Sequence, residues 1–168
     1  MDLPKRKPNR LPDYNYSTPG AYFITICTKD RKCILWESVG ASIARPQKPE
    51  LTTWGKIIDA AINKIPSCYP ALSVDHYVVM PNHIHLLLQI NTDEDGRAML
   101  APTISTIVQQ LKGIVTKQIG FSIWQKLFHD HIIRGAQDYQ KIWEYIENNP
   151  ILWEEDCFYP SANTHPET

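Results

Sequence analysis

Two eight-residue runs, Leu72–Val79 and His83–Ile90, are separated by nothing but Met80-Pro81-Asn82, and no other feature of the chain restricts its fold so tightly. Runs of this length across so short a connection read as two strands of a hairpin. In the second run, residues two apart share a face. His83 and His85 therefore stand side by side, while Ile84, Leu86, Leu88 and Ile90 point the other way into a core.

The other elements arrange themselves around this hairpin. Ala21–Thr28 is dense in β-branched and aromatic residues and reads as a strand buried on both faces. Thr52 or Thr53 can cap a helix running to about Ile65, with Trp54, Ile57, Ile58, Ala61 and Ile65 at helical spacing and Pro66 ending it. A second helix spans Ile104 to about Gln118, with Ile104, Ile107, Val108, Leu111 and Val115 along one side. Leu127–Arg134 reads as a fourth strand, and Asp138 caps a third helix that stops at or before Pro150.

The order strand, helix, strand, strand, helix, strand predicts an α+β fold, a ferredoxin-like βαββαβ sandwich with an additional C-terminal helix. Two helices cover one face of the sheet and the extra helix takes the other. The expected organisation is an extended, proline-broken arm over residues 1–20, one domain over 21–150 and an acidic tail over 151–168 that either is solvated or shields the functional site.

With 168 residues, 43% of them hydrophobic, the chain can build one real core. Cys27, Cys33, Cys68 and Cys157 form no CxxC pair, and no apolar segment follows Met1. The expectation is a reduced, cytoplasmic protein. No apolar run approaches the roughly 20 residues that cross a bilayer, so no membrane partner is expected.

A net charge of -1 conceals an asymmetry. From Glu144 onward there are six acidic residues and no Lys or Arg, so the preceding body sets 17 basic residues against 12 acidic ones. Lys5, Arg6, Lys7 and Arg10 form a basic arm, and Lys112, Lys117, Lys126 and Arg134 follow later. Such a surplus favours phosphate as a partner.

Two imidazoles on one strand face make a bidentate grip for a divalent cation. Imidazole suits Mn, Fe, Ni and Zn better than Mg, although oxygen ligands and a phosphate would let Mg serve. A second pair, His129 and His131, lies on the fourth strand. In the expected strand order it sits two strand spacings away, roughly 9–10 Å, too far to share an ion, and reads as surface or as groups facing a phosphate-bearing partner. In the third helix Tyr139, Ile142, Trp143 and Ile146 form the packing stripe. Tyr145 and Asn149 lie roughly 120° and 80° from its centre, on one flank. A phenol near a metal-bound phosphodiester is a competent nucleophile, and an amide oxygen beside it can act as a third ligand.

The string Tyr77-Val78-Val79-Met80-Pro81-Asn82-His83-Ile84-His85-Leu86-Leu87-Leu88 resembles the histidine-hydrophobic-histidine motif of single-tyrosine HUH transposases. Ile123-Trp124-Gln125, Asp130–Arg134, Asp138-Tyr139 and Trp143–Pro150 are similar to the C-terminal signature of their REP-associated tyrosine transposase branch. Tyr14–Ser17 and Gly20–Thr28 match its opening. The resemblance implies Mg or Mn on His83 and His85, a nucleophilic Tyr145 and a third ligand at Asn149. It also implies cleavage of single-stranded or hairpin DNA through a 5′-phosphotyrosine, in a monomer or homodimer.

Two other readings compete with strand transfer. One is a nucleic-acid-binding module without catalysis, against which the strand faces offer no plain base-stacking pair. The other is a metal-dependent hydrolase that uses activated water, in which Tyr145 would be dispensable.

Overall fold

The computed structural model describes residues 14–37, 49–97, 99 and 101–160. The basic arm with Lys5, Arg6, Lys7 and Arg10 lies outside them, as does the chain beyond Pro160. The elements in chain order are β1 (Gly20–Cys27), α1 (Thr53–Asn63), α2 (Ile65–Cys68), β2 (Leu72–Val79), β3 (His83–Ile90), α3 (Ile104–Ile119), β4 (His129–Ile132) and α4 (Ala136–Asn148). The sheet order is β2-β3-β1-β4, with every pair antiparallel. This is the ferredoxin-like α+β arrangement, and β3 and β1 are its central strands.

One face carries the main core. Tyr22, Ile24 and Ile26 of β1 and Ile84, Leu86, Leu88 and Ile90 of β3 have no exposed surface, and α1 and α3 pack over them. Burying each such side chain contributes about 1.5–3 kcal/mol, so this row outweighs any single polar contact in the fold. The α3 stripe is the expected one, with Ile104, Ile107, Val108, Leu111 and Val115 all buried. Thr52 caps α1 by accepting a hydrogen bond from Gly55 N at 3.1 Å. Gly55 is required by close approach, since a Cβ there would sit 2.4 Å from the Leu35 carbonyl oxygen.

The opposite face receives α4, whose Ile146 packs against Ala21 and Leu87 with Phe23, Val78, Tyr139, Ile142 and Trp143 around them. A bulge in β2 between Val74 and His76 fixes where the helix sits. Asp75, within it, accepts hydrogen bonds from Ser73 Oγ at 2.7 Å and from the Tyr139 hydroxyl at 2.8 Å. Tyr139 is thus half-buried, packed against the sheet and tied to β2. Burial first, and Asp75 second, push its phenol up to about 12.

Several boundaries differ from the sequence expectation. Pro66 does not end the first helix but opens the short α2, where its missing N–H costs nothing. The strand expected over Leu127–Arg134 shrinks to His129–Ile132, because the segment before it is pulled onto α3. The Lys112 ammonium donates to the carbonyl oxygens of Gln125, Lys126 and Leu127 at 2.9, 3.4 and 3.3 Å. Helix α4 starts two residues before Asp138, after Gly135 at φ 93°, a value that favours glycine. Asp138 instead accepts from Arg134 N and His131 Nε2, both at 2.9 Å.

The largest departure is at the C-terminal end. Residues 151–160 do not form a solvated tail. They fold back through a 3-10 turn at Trp153–Glu155 and lie over the histidine pair. Aromatic anchors account for this: Trp153 meets Trp36 at 6.3 Å and Tyr159 at 5.3 Å, and Phe158 lies 4.6 Å from the His83 ring. Among the described residues no helix is long and apolar enough to cross a membrane.

Candidate metal and nucleophile site

His83 and His85 emerge from the middle of the sheet toward α4, both almost wholly buried. Their Nε2 atoms are 3.0 Å apart. Burial drives the His83 imidazole down to about 4, against an opposing pull from Asp156, and holds His85 well below its usual value. Both rings are therefore neutral, as metal ligation requires.

Their outer nitrogens are held as well. Asn82 Oδ1 sits 2.8 Å from His83 Nδ1. An amide oxygen only accepts, so Nδ1 carries the proton and Nε2 presents its lone pair inward. His85 Nδ1 meets the Thr25 hydroxyl at 2.8 Å. That hydroxyl donates when His85 Nε2 carries the proton and hydrogen-bonds to His83, and accepts when the proton moves to Nδ1 and frees Nε2. Asn82 does more than orient a ring: its Nδ2 donates to Arg31 O at 3.2 Å and to Phe158 O at 2.8 Å. Sequence reasoning read Asn82 only as a turn residue.

Tyr145 lies at the border of the packed face of α4, half-exposed, with its ring 5.2 Å from that of His85 and 6.0 Å from that of Phe23. Its hydroxyl donates to Asp156 Oδ2 at 3.1 Å. Burial, then the charge of Asp156, push this phenol above its ordinary value. Asn149, buried at the end of α4, donates from Nδ2 to the same carboxylate oxygen at 2.9 Å, and its own Oδ1 is buried without a hydrogen-bond partner.

The ligand atoms of His83, His85 and Asp156 all lie within 4.8 Å of one another. The donor set suits a divalent ion. Octahedral Mg binds at roughly 2.1 Å, which separates adjacent corners by about 3 Å, matching the Nε2 spacing. Asp156 was expected in the acidic tail and not among the ligands. The available signal was Trp153, Phe158 and Tyr159 among the terminal acids, since a solvated segment has no use for three large aromatics.

The remaining expected residues fall elsewhere. His129 and His131 share the sheet face of His85, as the register His85–Thr25–His129 requires, but stand two strands away and exposed. His131 pairs with Asp138. Lys126 and Arg134 are exposed, whereas Lys112 is turned inward onto carbonyl oxygens.

Comparison with known proteins now bears on the site. No family model matches the sequence. An uncharacterized protein of Haemophilus influenzae is 34% identical over 173 residues, spanning 92% of this chain and 93% of its own. The REP-associated tyrosine transposase of Escherichia coli is 26% identical over 137 residues, spanning 81% of this chain and 69% of its own. The solved structure of a REP-associated tyrosine transposase bound to a REP hairpin superposes with a TM-score of 0.61 at 20% identity, over 95% of each chain. This chain belongs to the REP-associated tyrosine transposase family. In this chain the two histidines lie on β3 and the motif tyrosine on α4, so sequence elements some 60 residues apart meet through the sheet.

Proposed function

We propose that this transposase cuts and rejoins single-stranded DNA through a covalent bond to Tyr145, using a divalent Mg or Mn ion and taking hairpin-forming palindromes as substrate. The reading rests on one observation: the Tyr145 phenol, the two imidazole Nε2 atoms and Asp156 converge at one point between α4 and the sheet. Family membership supports the transposase role, and a relative solved with a REP hairpin supports the class of DNA.

His83 and His85 would hold the ion, with Thr25 and Asn82 setting their tautomers. Asp156, within the same cluster, would be a further ligand, and Asn149, whose Oδ1 is buried without a hydrogen-bond partner, would offer another oxygen. A divalent ion held there would supply charge neutralisation at the scissile phosphate. Tyr145 Oη would form a bond to phosphorus as its proton passes to the Asp156 carboxylate that accepts its hydrogen bond. The bond from phosphorus to the 3′ oxygen breaks, and that oxygen takes up a proton to become a free 3′-hydroxyl. The 5′ phosphate stays on Tyr145 until a 3′-hydroxyl attacks it, which joins strands and restores the phenol. Asp156 gives up the phenol as the phosphate arrives.

In this reading residues 21–150 form the catalytic domain and Asp156, from the segment that follows, completes its site, with Lys117, Lys126 and Arg134 as phosphate contacts and the arm at Lys5, Arg6, Lys7 and Arg10 flanking the hairpin.

The test is incubation with Mn and a labelled single-stranded hairpin, followed by denaturation. Wild type should yield a surviving protein–DNA adduct, and Tyr145→Phe should yield none while still binding. Cleavage without any adduct would mean hydrolysis by activated water, and binding without cleavage would mean a recognition module.

A further inference from the structure

The turn that follows β1 carries Lys29, Arg31 and Lys32, all exposed, at the sheet end where His83 begins β3; Cys27 and His83 are direct partners in the register. Among the described residues no carboxylate forms an ion pair with any of the three. The loop bearing exposed Lys126 joins the same end, through Gln125 N donating to Cys27 O at 3.0 Å and Lys29 N donating to Ile123 O at 2.7 Å. Asp30 is the one acid within the turn. The cations therefore crowd the edge of the site rather than scattering over the surface.

The turn is also built. Asp30 and Arg31 have φ of 56° and 53°, the only non-glycine residues among those described in the left-handed region. Side chains rarely adopt it, and it persists where surroundings enforce it, often at functional positions. Here Arg31 N donates to Thr28 O at 3.1 Å, and buried Thr28 donates from Oγ1 to Lys32 O at 2.9 Å. Asn82, which orients His83, donates to Arg31 O. The Arg31 guanidinium lies 5.1 Å from the centre of the Phe158 ring, so it reaches across toward the segment covering the histidines.

We propose that Lys29, Arg31 and Lys32 form a phosphate clamp for the single-stranded DNA that runs past the candidate active site, with Arg31 exchanging the Phe158 ring for a phosphate when DNA binds. The proposal rests on the reading of this chain as a DNA-processing transposase. Phosphate contacts carry no base information, so a generic probe suffices.

The experiment measures binding against salt for two labelled oligonucleotides, a stem-loop with a single-stranded oligo-thymidine extension and the same stem-loop with a blunt end. Each phosphate contact to a single strand contributes roughly 0.7 to the slope of log affinity against log salt. The triple variant Lys29→Ala, Arg31→Ala, Lys32→Ala should lose about 2 from the slope for the extended probe and little for the blunt one. Arg31→Lys should keep most of the wild-type slope. An unchanged slope, or an equal loss on both probes, overturns the clamp while leaving the DNA reading intact. Wild-type protein that binds neither probe sinks the DNA reading and the clamp with it. The three side chains are exposed, and a thermal melt matching wild type separates lost charge from lost fold.

Discussion

The Tyr145 hydroxyl and Asn149 Nδ2 share a single acceptor, Oδ2 of Asp156, so the motif tyrosine is hydrogen-bonded to a residue outside its own helix. Because the same carboxylate lies among the imidazole nitrogens, Asp156→Asn should weaken Mn binding by at least roughly tenfold. Calorimetry without DNA reads this directly. Unchanged affinity would remove Asp156 from the ligand set.

Thr25→Val deletes the hydroxyl that follows His85 Nδ1 between its two proton states. Removing such outer partners typically costs 10–100-fold in metal affinity, and a loss of about tenfold is expected here with the fold intact. Calorimetric titration with Mn beside a thermal melt checks both halves.

Stability should fall with acid. Folded His83 titrates at about 4 because burial disfavours its charged form, against an ordinary value of 6.5. Between those values the unfolded chain binds the extra proton, so the stabilisation is complete above the higher value and is lost as pH falls toward the lower. The shift corresponds to on the order of 3 kcal/mol. Denaturant midpoints measured across that interval without metal should drop, and drop less in a His83→Asn, His85→Asn variant.

Lys112 should behave as a structural residue. Burial lowers its ammonium from the usual lysine value, and its donors are engaged with loop carbonyls. Lys112→Ala should destabilise by about 1–3 kcal/mol while leaving the salt dependence of DNA binding unchanged. A reduced slope with normal stability would return it to the phosphate contacts.

Tyr139→Phe removes one hydrogen bond to Asp75 and should cost about 1–2 kcal/mol in denaturant unfolding without affecting adduct formation. Loss of the adduct would mean that Tyr139, not Tyr145, is the reactive phenol.

Much of this was legible because periodicity reports burial. The hairpin strands match their expected bounds, and the α3 stripe is buried as spaced, since local pattern and tertiary demand agree there. The boundaries that moved did so through long-range contacts. Leu127 leaves its strand because Lys112 binds the adjoining carbonyls, and α4 lengthens because Gly135 can turn where Asp138 was expected to cap. The site was half legible. The imidazoles and phenol belong to regular elements whose geometry is fixed by pleat and helix pitch, whereas Asn82, Asp156 and the turn at Lys29–Lys32 depend on chain segments meeting across the fold. An acidic run has no periodicity from which such a meeting can be inferred.

Strand β3 is paired along both edges, to β1 and to β2. The imidazole spacing is thus anchored by two ladders at once, whereas the phenol rides on one helix and the covering carboxylate on one irregular segment. Drift in those outer parts can move the phenol and the carboxylate while the two imidazoles keep their separation.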